Sequence, residues 1–299
     1  VRASRTLPRG ARRAHLHTVA GLSTREIAHA FLVPEATLAQ RLVRAKRRIR
    51  AAGIPYRVPT EDELPPRLDG VLAVLYLVFS AGYAPSTGDE ALRVDLAAEA
   101  VRLCRTVLDL VPHDAADEAR ALLALMLLQH SRHAARLAPD GSPIPFDEQD
   151  RARWDADALV EAADLLRAPY RVRGGYRIQA ELAAEHALSP GVEATDWARI
   201  VALYDELGSF TRSPAAHVSR ALALGFAHGW QSGLDELARL EALPSPDLRL
   251  LAAARADLLR RSGDRDGAVA AYRIARDLPL TAAERSFYVR RLTELDAAD

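Results

Sequence analysis

Gln40, Arg41, Arg44, Lys46, Arg47 and Arg48 stand within nine residues of one another, and every one carries a hydrogen-bond donor. Arginine and glutamine match the donor and acceptor edges of guanine and adenine in a DNA major groove, whereas lysine and further arginines pair with phosphate oxygens. Two positions just ahead, Glu35 and Thr37, fall where they would also face base edges, and Thr24 and Arg25 fall where they would touch a sugar-phosphate backbone. Glu35, Thr37, Gln40 and Arg41 are therefore the expected base readers. Arg44, Lys46, Arg47 and Arg48 are the expected phosphate contacts.

Such residues need a helix to hold them and a second helix to dock that one. Ser23 can cap a first helix, with Glu26 at the capping-box spacing, and Leu22, Ile27, Ala30 and Phe31 then share a face. Val33-Pro34 ends it, because proline disfavours the α region for the residue before it. Pro34 suits the first turn of the next helix, where its missing N–H costs nothing. Leu38, Leu42, Ala45 and Ile49 then form an apolar stripe, leaving the basic residues on other faces. The pattern reads as a helix-turn-helix over residues 21–50.

Charge is distributed to match. The whole chain is formally neutral, with 40 basic and 40 acidic residues. Residues 1–58 hold 13 bases and 2 acids, or +11, so the other 241 residues hold 27 bases and 38 acids, or −11. A basic head on an acidic body is the asymmetry expected of a nucleic-acid-binding module joined to a body that does not bind nucleic acid. The competing reading is an amphipathic helix whose arginines face solvent. The turn, the cap and the clustered charge favour DNA.

Residues 19 to about 58, GLSTREIAHAFLVPEATLAQRLVRAKRRIRAAGIPYRVP above all, resemble region 4 of extracytoplasmic-function (ECF) sigma factors of the sigma-70 family. The stretch Asp62 to Tyr83 resembles the start of a long C-terminal extension carried by one ECF subgroup. Looser colinear likeness continues through Leu122–Arg136, Asp147–Asp155, Thr195–Leu207 and Ala253–Gly263. The resemblance implies three parts: an irregular segment 1–18, a DNA-binding domain 19–58, and a helical extension 59–299 related to tetratricopeptide repeats. It implies a transcription initiation factor that reads the promoter −35 element and is regulated by its own extension. The implied partners are promoter DNA, core RNA polymerase, and a protein segment on the extension.

An ECF sigma factor places region 2, which binds core polymerase, ahead of region 4, and no such domain fits before Gly21. Core engagement by that route is accordingly not expected of this chain. Residues 1–18 lack helical periodicity and contain Pro8 and Gly10. Lys46 is the single lysine, which points to a GC-rich gene, and Thr6 to His15 can be encoded so that reading one base later gives RSPEARVALT. That string suits the approach to a region 4 helix, so the first residues are expected to be an out-of-frame segment.

From residue 60 onward, Ala and Leu are abundant and Pro or Gly recurs at helix-length intervals. The pattern predicts an all-α body with helices over 66–83, 88–110, 115–137, 155–167, 176–187, 195–208, 214–228, 232–242, 247–262, 266–277 and 281–296. Gly229 and Gly263 lie 34 residues apart, the tetratricopeptide period, and each is placed between two helices. Ala256, Leu259, Gly263, Ala268, Tyr272, Ala275 and Pro279 follow the small-large pattern of such helix pairs. An irregular helical domain with coincidental spacing is the alternative. In either case the concave face could hold a protein segment.

Catalytic chemistry finds no support. His130 and His133 share a predicted helix face, but no third ligand stands at metal-site spacing, so a metal site is not expected. Asp147, Glu148, Asp150 and Asp155 are expected to cap and anchor the following helix, where acids suit an N-terminus. Arg173-Gly174-Gly175-Tyr176 is a lone glycine pair and no phosphate loop. Cys104, the only cysteine, reads as a structural thiol in an apolar helix, which excludes an intramolecular disulfide and suits a reduced cytoplasm. The longest apolar run, Val71–Phe79, is too short to span a bilayer and is expected to be a buried helix joining head to body. Neither an enzyme, a cofactor nor membrane insertion is expected.

Overall fold

The computed structural model describes residues 64–83, 94–139, 141–244, 246–278 and 282–297, together with Ala36, Gln40 and Val43. Within these stretches the chain is all-α and no strand is present, as the periodicity predicts. Apart from Ala36, Gln40 and Val43, the described residues form eleven α-helices: α1 Leu64–Tyr83, α2 Val94–Leu110, α3 Asp117–His130, α4 Ala156–Arg167, α5 Gly175–Ala187, α6 Trp197–Leu207, α7 Pro214–His228, α8 Trp230–Glu241, α9 Leu248–Ser262, α10 Arg265–Asp277 and α11 Ala282–Asp296. Most pack chiefly on their neighbours in sequence, which is the contact pattern of a helical array, but α5 packs mainly on α3 and only slightly on α4.

Helix starts follow local chemistry. Asp155, Asp196, Asp247 and Asp264 precede α4, α6, α9 and α10, and each carboxylate accepts a backbone N–H in the first turn. Pro214 opens α7, where a missing N–H is harmless. Gly229 (φ +95°) and Gly263 (φ +85°) turn the chain from α7 to α8 and from α9 to α10 in a conformation that side chains resist. Their spacing matches the helices: α7 and α9 begin at Pro214 and Leu248, 34 residues apart. The α7–α8 crossing is close because Gly233 replaces a side chain there; a Cβ would lie 2.7 Å from the Ala221 carbonyl oxygen.

The first core surrounds α3. Every residue from Ala121 to Leu128 is buried, since α1, α2, α4 and α5 enclose this helix on several sides. Leu68, Leu72, Leu75, Val78 and Phe79 form the buried face of α1. Val71, by contrast, is 41% exposed, so the apolar run Val71–Phe79 is a one-sided core helix and not a fully buried connector. Three smaller cores follow along the array. The last contains Ala256, Ala271, Tyr272, Ala275, Tyr288 and Leu292, and includes three of the small-large positions read from the sequence. Pro279 lies outside the described residues.

One boundary differs substantially from the periodicity. The predicted helix 115–137 begins at Asp117 and stops at His130. Ser131 Oγ donates to the Leu128 carbonyl, and the Ser131 carbonyl accepts the Asp155 N–H at 2.9 Å. These bonds pull the chain out of the helix, into a 3-10 turn over His133–Ala135 and a bridge between Leu137 and Pro143. His133 therefore does not share a helix with His130. Their rings stack instead, with centroids 4.8 Å apart.

Candidate functional site

A cavity of about 1060 Å³ lies within the array, bordered by α1, α3, α5, α6 and α7, the loop before α4, and Arg261 of α9. That volume is at the upper end of the range for small-molecule sites. Its walls are rich in aromatic rings, which join into a chain. Phe146 meets His186 at 5.5 Å, His186 meets Trp197 at 5.4 Å, and Trp197 stacks on Phe226 at 3.9 Å. Tyr76 and Tyr176 make an edge contact at 5.7 Å on another part of the wall.

Each ring arrives on a different element for a local reason. His186 is placed by the last turn of α5, whose end is held by Arg151 donating to the carbonyls of His186, Ala187 and Ser189. A cation at that position also offsets the C-terminal helix dipole. Trp197 begins α6 behind the Asp196 cap, and its indole N–H donates to the Val192 carbonyl. Phe146 sits in the loop that follows the early end of α3, with the Arg132 guanidinium 4.8 Å and that of Arg151 5.5 Å from its ring centre.

The four acids near Trp154 divide their roles. Asp150 and Asp155 cap the turns that follow them, as expected. Asp147 and Glu148 do not cap: Asp147 accepts from Arg261 at 2.6 Å, and Glu148 pairs with Arg291. Arg290 adds bonds to Ser142 Oγ and the Pro143 carbonyl. Helix-capping logic is local and could not foresee partners more than a hundred residues away.

Charge within the cavity is mostly neutralised. Glu118 is raised above the usual carboxylate range by burial, although it accepts the N–H groups of Tyr176 and Arg177. The N-terminus of α5, where the glycine pair stands, thus already holds an anion from the chain itself. Gly174 lets this carboxylate approach the backbone, since a Cβ would fall 2.4 Å from the Glu118 carboxyl carbon and displace it. Burial, reinforced by Arg132 and Arg151, lowers His186 from 6.5 to about 4, so its ring is neutral at pH 7. Cys104 is buried, and burial pushes its thiol up to about 12, as befits a structural thiol. Among the described residues no cluster of His, Cys, Asp and Glu could hold a metal ion, and no helix is long and apolar enough to cross a membrane.

Of the DNA-contact residues expected from the sequence, Gln40 is described: it is helical and exposed. Ala36 and Val43 are also helical and exposed, and the three fall at i, i+4 and i+7 on one face. That face is distinct from the predicted stripe of Leu38, Leu42, Ala45 and Ile49. Thr24, Arg25, Glu35, Thr37, Arg41, Arg44, Lys46, Arg47 and Arg48 lie outside the described residues, as does the turn at Pro34. The cavity residues were missed by sequence reasoning, because no spacing links Phe146, His186 and Trp197.

Residues 67–169 match a family of unknown function, DUF6596, a span that runs from α1 just past the end of α4. An uncharacterized protein of Rhizobium meliloti (strain 1021) is 42% identical over 221 residues, which is 73% of this chain and 52% of that relative. The matched stretch thus spans about half the relative's length. No solved structure matches.

Proposed function

We propose that this chain belongs to transcription initiation: a factor of ECF sigma type that reads promoter −35 DNA through residues 19–58 and is regulated by the helical array of residues 59–299. The observation that carries this reading is the helix-turn-helix pattern of residues 21–50 within a segment of charge +11, set on a body of charge −11. The head supplies the electrostatic footprint for DNA, and the acidic body disfavours non-specific contact beyond it. Gln40, helical and exposed, accords with a base-reading role for its face. The resemblance to region 4 supplies the target, and core RNA polymerase is the partner that the whole protein would engage. The reading is non-catalytic and places the protein in the cytoplasm with its DNA.

A second reading draws on the aromatic cavity: the array binds a partner and the basic head is only a non-specific tether. Gel-shift titration of the full chain against −35-type and scrambled duplexes separates the two. Preference for the promoter element supports the sigma-type reading. Equal, salt-labile binding to both supports the tether.

A further inference from the structure

The cavity contains a cation with no anionic partner among the described residues. Its other charged groups are satisfied within the chain: Asp147 is paired with Arg261, and Glu118 holds the start of α5. Arg151, just behind the wall, is committed to the end of α5. Arg132 differs from all of these. Its guanidinium donates only to neutral oxygens, the Tyr83 hydroxyl at 2.5 Å and Gln149 Oε1 at 3.2 Å, and it makes no ion pair among the described residues. Phe146, 4.8 Å from that guanidinium, is in edge contact with His186, which places the cation and the imidazole at the same end of the cavity.

His186 is the second unused group. Its ring is wedged between Phe146 and Trp197, and neither ring nitrogen has a hydrogen-bond partner among the described residues. A neutral imidazole keeps one N–H to donate and one nitrogen to accept. The site therefore offers a monovalent cation, a neutral donor and flat apolar walls, in a volume suited to a small molecule.

We propose that this cavity binds a small aromatic carboxylate, its ring against Phe146 and Trp197 and its carboxylate on Arg132, with His186 as the second donor. Charge selects a single acid group, since a second carboxylate would meet the already filled Asp147 and Glu118 positions. The aromatic walls select a planar body over an aliphatic one. This inference concerns the array alone and stands whether or not the head reads a promoter.

The test is isothermal titration of the full chain with benzoate, 2-naphthoate and indole-3-acetate, each beside its uncharged amide. At least one acid should bind with one-to-one stoichiometry, and its amide should bind about tenfold or more weakly, the loss expected when a charge-assisted hydrogen bond is replaced by a neutral one. Arg132→Gln should reduce the acid to the affinity of the amide while leaving the amide unchanged, and Ala183→Trp, which places an indole in the cavity wall, should weaken both. Circular dichroism confirms that each variant is folded. Equal affinity of acid and amide for the unaltered chain overturns the proposal without recourse to any variant. So does the absence of saturable binding by all three acids at millimolar concentration, which would leave the cavity to a protein segment.

Discussion

Asp147 and Arg261, 114 residues apart in sequence, meet at 2.6 Å across the array. The carboxylate belongs to the loop released by the early end of α3, and the guanidinium to the last turn of α9. Burial would raise Asp147, but the hydrogen bond and charge of Arg261, with the nearby charge of Arg260, together hold it below the usual carboxylate range. Beside it, Glu148 meets Arg291 of α11. The first and last parts of the array are therefore joined by ion pairs as well as by the intervening helices. Both members of the Asp147–Arg261 pair are largely shielded, at 25% and 19% side-chain exposure. Asp147→Ala is expected to lower unfolding stability by about 1–3 kcal/mol, less than a fully buried pair because some water reaches it. Urea denaturation measures this, and an unchanged midpoint would show that the pair carries no weight.

Acid should weaken the protein in two separable stages. His186 titrates near 4 when folded against an ordinary value of 6.5, so the unfolded chain binds more protons between these values. Stability is then full above about pH 6.5 and falls as pH drops toward 4, by up to about 3 kcal/mol. His130, lowered by burial and by His133, acts in the same direction. Glu181 follows lower down: burial would raise it, but Arg173 and Arg177 bring it from 4.5 to about 2, so its contribution is lost as pH falls through that interval. His186→Phe should flatten the upper stage and leave the lower one. Denaturant midpoints measured across pH 2–7 report both stages.

Cys104 provides a reporter of folding. Its thiol is buried, lies 3.7 Å from the Ala119 carbonyl, and is raised to about 12. A neutral-pH thiol reagent should leave the native chain unmodified and label one thiol per chain in denaturant, because thiolate is the reactive form. Rapid labelling of the native protein would mean that α2 opens readily.

In the head, base reading and phosphate contact make different demands. Arg41→Ala is expected to change sequence preference, whereas Arg47→Ala should weaken binding to all duplexes alike and reduce the salt slope by about one unit. Fluorescence anisotropy at several salt concentrations distinguishes these effects. Two variants that matched the parent on every duplex would remove this helix from the interface.

Much of the array was legible because its punctuation is local. Asp155, Asp196, Asp247 and Asp264 mark helix starts, while Gly229 and Gly263 mark the turns of a 34-residue spacing. The end of α3 was not legible, since it depends on the Ser131 carbonyl meeting the Asp155 amide across a long loop. Nor was the cavity. Arg132 carries no signal in the sequence, and its place over Phe146 and beside His186 arises only when α3, α5 and the intervening loop pack together. Glu148 read as a cap because acids suit helix starts, yet Arg291 lies 143 residues away.

The decisive experiment is selection by the full chain from a pool of short duplexes with a randomised core, followed by sequencing of the retained fraction. A helix-turn-helix reader should enrich one compact motif, with each mismatch costing about 1–3 kcal/mol, and Arg41→Ala should relax the motif at one position. Retention of all sequences in proportion to their abundance would contradict promoter reading and leave the basic head as an electrostatic tether.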